Sequence, residues 1–269
     1  MTADVLAQRR IYLDVATEAA LEAGTVLLQH WGDLAEVSEK GRVGDLVTSA
    51  DRVSERTILQ VLQRHVPDHA IQAEESSPEG NPDSACQWVI DPLDGTTNFA
   101  HQYPLCAVSI ALLVEGTPQV GVVYNPIFGE LFRAARGWGV TRNRHPIAPS
   151  RTSTLADSLL VSGFAYDFRN TADNNCAEFC HLLHLTRGVR RSGAASLDLA
   201  SVACGRFDGY WERGLSPWDM AAGIVLVEEA GGRTSAYDGS PLQLESGRIL
   251  ASNGVLHGEL SSALLAAPR

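Results

Sequence analysis

Trp88-Val89-Ile90-Asp91-Pro92-Leu93-Asp94-Gly95-Thr96-Thr97-Asn98-Phe99 is the stretch on which the rest of the chain turns. Its apolar start, Trp88 to Ile90, reads as a buried strand. The strand runs into two aspartates three residues apart, and Gly95-Thr96-Thr97 then opens a helix or a tight turn. Carboxylates bind hard divalent cations, and backbone N–H groups at a helix start bind phosphate oxygens. The segment therefore supplies both halves of a metal-assisted phosphate site. An Asp-Gly turn by itself does no more than cap and reverse the chain.

Working outward, a short strand Ala70–Ala73 ends in Glu74-Glu75-Ser76, about fifteen residues before the aspartate strand. Paired glutamates alone are usually just solvated. If the two strands are neighbours in a sheet, one glutamate comes to lie beside Asp91 and Asp94. The intervening Ser76–Ser84 reads as loop. Upstream, apolar spacing gives a helix over 9–31 stopped by Gly32, then a loop from Lys40 to Asp51. A second helix follows from about Asp51 to His65, with Val53, Ile58, Leu59 and Leu62 inward and Thr48 or Ser49 as cap. Asp51 is either a first-turn acid favoured by the helix dipole or a functional carboxylate.

Downstream, apolar runs at 105–114, 119–124 and 130–134 are separated by turn residues and describe an antiparallel meander. The Pro- and Ser-bearing segment His145–Ser153 divides the chain into an N-terminal antiparallel-sheet half, 1–148, and a C-terminal α/β half, 149–269. That segment is too short for a free linker, so the halves should share a site. The second half alternates: strand Leu159–Phe164, helix Thr171–Thr186, strand Val189–Arg191, a helix through Leu197 to Ala203, strand Asp208–Glu212, helix Met220–Ala230, strand Arg248–Ala251 and helix Leu256–Ala266. Such alternation implies a partly parallel sheet. Asp219 reads as the N-cap of its helix. Cys176, Cys180, His181 and His184 have helical spacing but lie among Phe179, Leu182, Leu183 and Leu185, so buried thiols and a satisfied histidine are expected rather than zinc.

Composition bounds the remaining classes. The 269 residues are 45% hydrophobic and 20% charged, ordinary for a globular protein, with ample length for a core. A net charge of −11 argues against non-specific nucleic-acid binding, which needs Lys and Arg against phosphate. No eighteen-residue apolar run and no signal peptide are visible, so no membrane contact is expected. Five scattered cysteines read as reduced thiols of a cytoplasmic protein.

With Asp91-Pro-Leu-Asp94-Gly-Thr-Thr-Asn-Phe and Trp218-Asp219-Met-Ala-Ala-Gly in one chain, in order, the sequence resembles the inositol monophosphatase family over nearly its whole length. Asp45-Leu-Val-Thr-Ser-Ala-Asp51, Ala73-Glu74-Glu75-Ser76, Pro104-Leu-Cys-Ala-Val-Ser-Ile, Gly121-Val-Val-Tyr-Asn-Pro and Glu229-Ala-Gly-Gly support it. The resemblance implies a layered α-β-α-β-α sandwich, commonly a homodimer, and an Mg²⁺-dependent, lithium-inhibited phosphomonoesterase. It implies metal binding by Glu74, Asp91, the backbone carbonyl of Leu93, Asp94 and Asp219, and water handling by Asp51 and Thr96, with Glu74 among the catalytic set. Gly95 and Thr96 would hold phosphate, Gly193, Ala195 and Glu212 would meet the alcohol portion, and Asp94 and Asp219 would also contact substrate. Ala73, Gln102 and Ala194 depart from the family's usual small or hydroxyl residues without removing a ligand.

The substrate is then a small phosphorylated polyol, myo-inositol monophosphate first, with fructose 1,6-bisphosphate, histidinol phosphate or a nucleotide phosphate as alternatives. A regulatory binding protein with residual activity is a further one. No histidine falls in a motif, so a histidine general base is not expected. Haloacid-dehalogenase-like phosphatases carry a similar Asp-x-Asp-Gly-Thr string, but there the acids are two apart, and here they are three apart with Pro92 between.

Overall fold

A long helix, α1 (Ala3–His30), lays a stripe of Leu13, Ala16, Ala19, Ala20, Ala23 and Leu27 against a sheet, at the three-and-four spacing that helices bury. The computed structural model describes residues 3–33, 37–39 and 46–268. A two-stranded ribbon, β1 (Val37–Glu39) with β2 (Leu46–Thr48), precedes α2 (Ser49–His65). Residues 40–45 of the expected loop lie outside the described residues, and Leu46–Thr48 is strand rather than loop because it pairs with β1. Thr48 is the cap of α2, and its hydroxyl accepts from the Ala50 N–H at 3.1 Å. Val53, expected inward, is 37% exposed, while Ile58 and Leu62 are fully buried.

The first sheet has eight strands: β3 (Ala70–Ala73), β4 (Glu79–Gly80), β5 (Cys86–Asp94), β6 (Ala107–Val114), β7 (Thr117–Asn125), β8 (Glu130–Ala135), β9 (Gly139–Arg142) and β10 (His145–Pro146). Their order across the sheet is β10-β9-β8-β7-β6-β5-β3-β4. Pairing is antiparallel except between β3 and β5, which run parallel with Ala73 opposite Ile90. The two acid-bearing strands are thus neighbours, as their separation in sequence suggested. A five-residue helix, α3 (Thr96–Ala100), leaves the end of β5.

Beyond residue 150 come β11 (Leu159–Ser162), α4 (Cys176–Leu185), β12 (Gly188–Arg190), α5 (Ala195–Ala203), β13 (Gly209–Arg213), α6 (Pro217–Glu229), β14 (Arg233–Ser235), β15 (Arg248–Ser252) and α7 (His257–Leu265). Five of these make a second sheet in the order β12-β11-β13-β15-β14, parallel at β12-β11-β13 and antiparallel beyond. Helix α4 begins five residues later than its apolar spacing suggests. Asn175, at φ 67°, stops it, because its amide donates to Ser162 Oγ (2.8 Å) and the Gly163 carbonyl (2.7 Å) and accepts from Trp211 Nε1 (2.6 Å). Cys176 and Cys180 are exposed rather than buried, since the apolar face of α4 is carried by Phe179 and Leu182.

Three apolar clusters stack these elements into five layers. Trp88, Ile90, Ile110 and Val122 of the first sheet pack on α1 and α2. The opposite face, with Val89, Ala111, Leu113 and Val123, packs on α5 and α6, which also touch Tyr210, Ile249 and Ala251 of the second sheet. Leu160, Trp211 and Leu250 on that sheet's outer face pack on α4 and α7 through Leu182, Leu260 and Leu264. The result is the α-β-α-β-α sandwich. Middle-layer contacts are close: a Cβ added at Gly121 on β7 would collide with the backbone of Ala222 on α6.

Candidate active site

In a regular strand, residues three apart point to opposite faces. Asp91 pairs with Ser109 and Asp94 with Ala107, so three steps on β5 match two on β6. This one-residue bulge at Pro92-Leu93, where Pro92 has no N–H to give the ladder, returns both carboxylates to the same side. Asp91 accepts from the Leu93 N–H at 2.9 Å, which holds the bulge shut. Beside it, the Glu74 N–H donates to the Ile90 carbonyl at 3.2 Å, carrying the register of β3 one residue further and setting Glu74 against Asp91. Glu75 is spent differently: its N–H donates to the Glu55 carboxylate on α2 at 2.8 Å. Ser54, also on α2, donates to the Pro92 carbonyl at 2.8 Å.

Asp51 is fully buried and occupies the third position of α2. One carboxylate oxygen accepts from the Thr48 N–H (2.8 Å) and hydroxyl (2.6 Å), and the other accepts from the Thr96 hydroxyl at 3.0 Å. The same hydroxyl lies 3.1 Å from the Leu93 carbonyl, so its single proton has two acceptors. Gly95 precedes α3 at φ 86°, and a Cβ there would come to 2.8 Å from the Leu105 carbonyl; only glycine satisfies both conditions. Asp219 sits at the third position of α6 and accepts from the Ser216 N–H at 2.7 Å; the helix starts at Pro217, so Ser216, not Asp219, is the cap. Ser109, the partner of Asp91, donates to the Trp218 carbonyl at 3.1 Å and moors that helix start beside β5.

The far wall comes from the second sheet. Glu212 is the penultimate residue of β13, is 8% exposed, and accepts from the Tyr210 hydroxyl at 2.7 Å. Gly163 lies against its carboxylate so closely that any side chain there would overlap it. Asp94, Gly95, Gly193, Ala195, Glu212 and Asp219 line one cleft, with Phe164, Tyr166 and Arg191 opposite. Asp51, Thr96 and Asp91 lie buried at its edge. Among the described residues no histidine lines it.

Burial dominates the electrostatics. Asp91 is pushed well above the usual carboxylate range by burial and by the charges of Glu74, Asp94 and Asp219. Asp94 rises to about 6 by burial, against the pull of hydrogen bonds from Ser196. Asp219 is raised by burial and by Asp94, and Glu212 reaches about 7 by burial despite the Tyr210 hydroxyl. Acids that discharge one another in this way, from four separate elements, are a donor set that a hard cation would neutralise. Among the described residues no three Cys, His, Asp or Glu side chains already close on a common point.

A family model described as the inositol monophosphatase family matches residues 9–268. The chain belongs to the inositol monophosphatase family. It is 61% identical to a Synechocystis protein named inositol-1-monophosphatase over 258 residues, covering 96% of this chain and 90% of that one. It is 41% identical to the Nus factor SuhB of Escherichia coli over 243 residues, covering 90% and 91%. The solved inositol monophosphatase of Anabaena (Nostoc) sp. superposes with a TM-score of 0.89 at 59% identity, covering 96% of this chain and 97% of that one.

Within this family member, sequence reasoning missed the residues that hold the site together. Ser196 donates to Asp94 through its N–H (2.8 Å) and hydroxyl (2.5 Å), and the Ala195 N–H reaches the other oxygen at 3.2 Å. Ala195 therefore supports Asp94 as well as facing the cleft. Asn98 donates to the carbonyls of Leu105 (2.7 Å) and Ser192 (2.9 Å), tying α3 to the Gly193 loop. Asp198, buried next to Ser192, is raised by burial and keeps one oxygen without a hydrogen-bond partner. Asn98 lies inside the opening motif; Ser196 carries no local signal because its partner Asp94 is 102 residues away, and Asp198 none because an aspartate within a helix has nothing in the chain to mark it.

Proposed function

We propose that the chain is an Mg²⁺-dependent phosphomonoesterase of small phosphorylated polyols, with myo-inositol monophosphate first among its substrates. The observation that supports this reading is that Asp91, buried, feels the charges of Glu74, Asp94 and Asp219 together, while Asp51 and Thr96 share a hydrogen bond. The donor set is all oxygen and strongly acidic, which suits Mg²⁺ over softer metals. Glu74, Asp91, the Leu93 carbonyl, Asp94 and Asp219 would hold it. When bound, Mg²⁺ supplies charge neutralisation at the phosphate and acidifies water.

The protein's own residues then do the rest. N–H groups of Gly95 and Thr96 at the start of α3 take phosphate oxygens. Thr96 Oγ1 accepts from the attacking water while donating to Asp51, so Asp51 receives the proton through a hydroxyl already 3.0 Å away. The phosphoryl group passes to the water oxygen directly, with no aspartyl intermediate, as its bond to the alcohol oxygen breaks and that oxygen takes a proton from cleft water. Gly193, Ala195 and Glu212 meet the alcohol, where the Glu212 carboxylate accepts from polyol hydroxyls. Five cysteines free of disulfides and the absence of a membrane-crossing helix among the described residues support a cytoplasmic setting, and the family likeness supports a homodimer. The deciding experiment is phosphate release from inositol, sugar, histidinol and nucleotide phosphates with Mg²⁺, with chelator, and with lithium. Turnover that needs Mg²⁺, favours inositol phosphate and falls with lithium is expected. Equal turnover in chelator, or a trapped aspartyl-phosphate, refutes the reading.

A further inference from the structure

Cys176 and Cys180 have no part in the chemistry above. Both are exposed on α4, whereas Cys106 is buried and Cys86 and Cys204 are half-buried. Positions four apart on a helix hold their Cβ atoms roughly 5–6 Å apart on one face. Rotamers can bring two sulfurs from that span onto one cation at about 2.3 Å each. A disulfide needs Cβ atoms about 3.8 Å apart, so an intact helix favours the open dithiol over its own oxidation.

We propose that Cys176 and Cys180 form a two-thiolate site on α4 for a soft divalent cation, Zn²⁺ or Cd²⁺. Thiolates select soft metals and carboxylates hard ones, so this site and the cleft take different cations from the same solution. His184 continues the same face, but it is eight residues from Cys176, roughly 12 Å along the axis, and cannot close on a cation held there. Two thiolates leave the remaining positions of a tetrahedral cation to water. Both thiol protons leave as the cation binds, and nothing is oxidised or reduced.

The site has a route to the cleft. Asn175, directly before Cys176, holds Ser162, Gly163 and Trp211 through its amide. Phe179, in the turn between the two cysteines, packs on Phe164 with ring centroids 5.5 Å apart. Gly163 and Phe164 line the cleft beside Glu212. A cation bridging the first turn of α4 therefore stiffens one wall of the substrate pocket.

The test is a titration of the full chain with CdCl₂ in saturating Mg²⁺, followed by the ultraviolet thiolate-to-cadmium charge-transfer band. C176S, C180S and C86S run in parallel. One cation per chain is expected, with affinity unchanged in C86S. Either α4 serine variant should lose at least the roughly 10–100-fold that removal of a mere outer-shell partner costs. A full band in C176S or C180S, no band in the wild type, or one cation per two chains overturns the proposal.

Discussion

Asp51 illustrates how one residue serves helix and site together. It completes the start of α2 through Thr48 and receives the Thr96 hydroxyl on its other oxygen. Asp51→Asn keeps an acceptor for Thr48 but turns an N–H₂ toward Thr96, and it cannot take a proton. The expected result is a turnover loss on the order of a hundredfold or more at saturating Mg²⁺. The stability loss should be only about 0.3–1 kcal/mol, the size of a first-turn charge effect. Wild-type turnover would reduce Asp51 to a helix-start residue. Glu212→Gln tests the opposite wall. Tyr210 can still donate to the amide oxygen, so the fold should hold while rates among polyol, sugar and nucleotide phosphates change relative to one another. Mg²⁺ affinity should move less than those ratios, and a uniform loss across substrates would make the residue structural. The acids themselves were legible in the sequence because each closes a strand or opens a helix. Their supports, Ser196 and Asp198 above all, were not: a serine or aspartate inside a helix has no distinguishing neighbours in the chain.

At the scale of elements, the position of α6 decides where Asp219 lies. Gly121 lets the helix seat on β7, and Ser109 ties its first turn to β6. Gly121→Ala should lift the helix, costing about 1–3 kcal/mol as an overpacked contact. Mg²⁺ affinity, read by calorimetry, should fall with stability because Asp219 moves with the helix. An unchanged affinity in the destabilised variant would separate the helix seat from the site. Long apolar-periodic elements such as α1 and the meander β6–β8 were readable from spacing. The bulge in β5 was not, because only the partner strand shows that one residue too many lies between Asp91 and Asp94. Strand β14 has no signal in the chain for a related reason: it is three residues long and exists through its pairing with β15. Helix α4 is shorter than its apolar spacing implies because Asn175 is held from outside, by Ser162, Gly163 and Trp211. Gln102 adopts φ 55°, a left-handed conformation that explains why a glycine is the family's usual choice there.

For the molecule as a whole, the buried acids tie stability to pH and cation together. Asp94 near 6 and Glu212 near 7 bind protons in the folded chain that an unfolded chain, with carboxyls near 4, has already lost. Their contribution is therefore fully present below about pH 4 and is lost as pH rises through 6–7. The melting temperature of the chelated protein should fall across that window from these groups. Mg²⁺ should raise it more at pH 7.5 than at pH 5, since at the lower pH protons compete for Asp94. An equal Mg²⁺ shift at both values would contradict the placement of the cation on these acids. His257 works in the other direction: burial pulls it down to about 4, so its contribution is lost as pH falls below about 6.5. His257→Gln should remove that acid-side loss from the melting profile. The five-layer stack also has a meaning in time. The first sheet is complete by Pro146, yet α6, which covers its inner face, does not begin until Pro217. At synthesis rates of roughly 5–20 residues per second, Val89, Ala111, Leu113 and Val123 wait several seconds for their cover as the chain leaves the ribosome. A nascent chain stalled between those two points presents a bare apolar sheet to whatever chaperone is near.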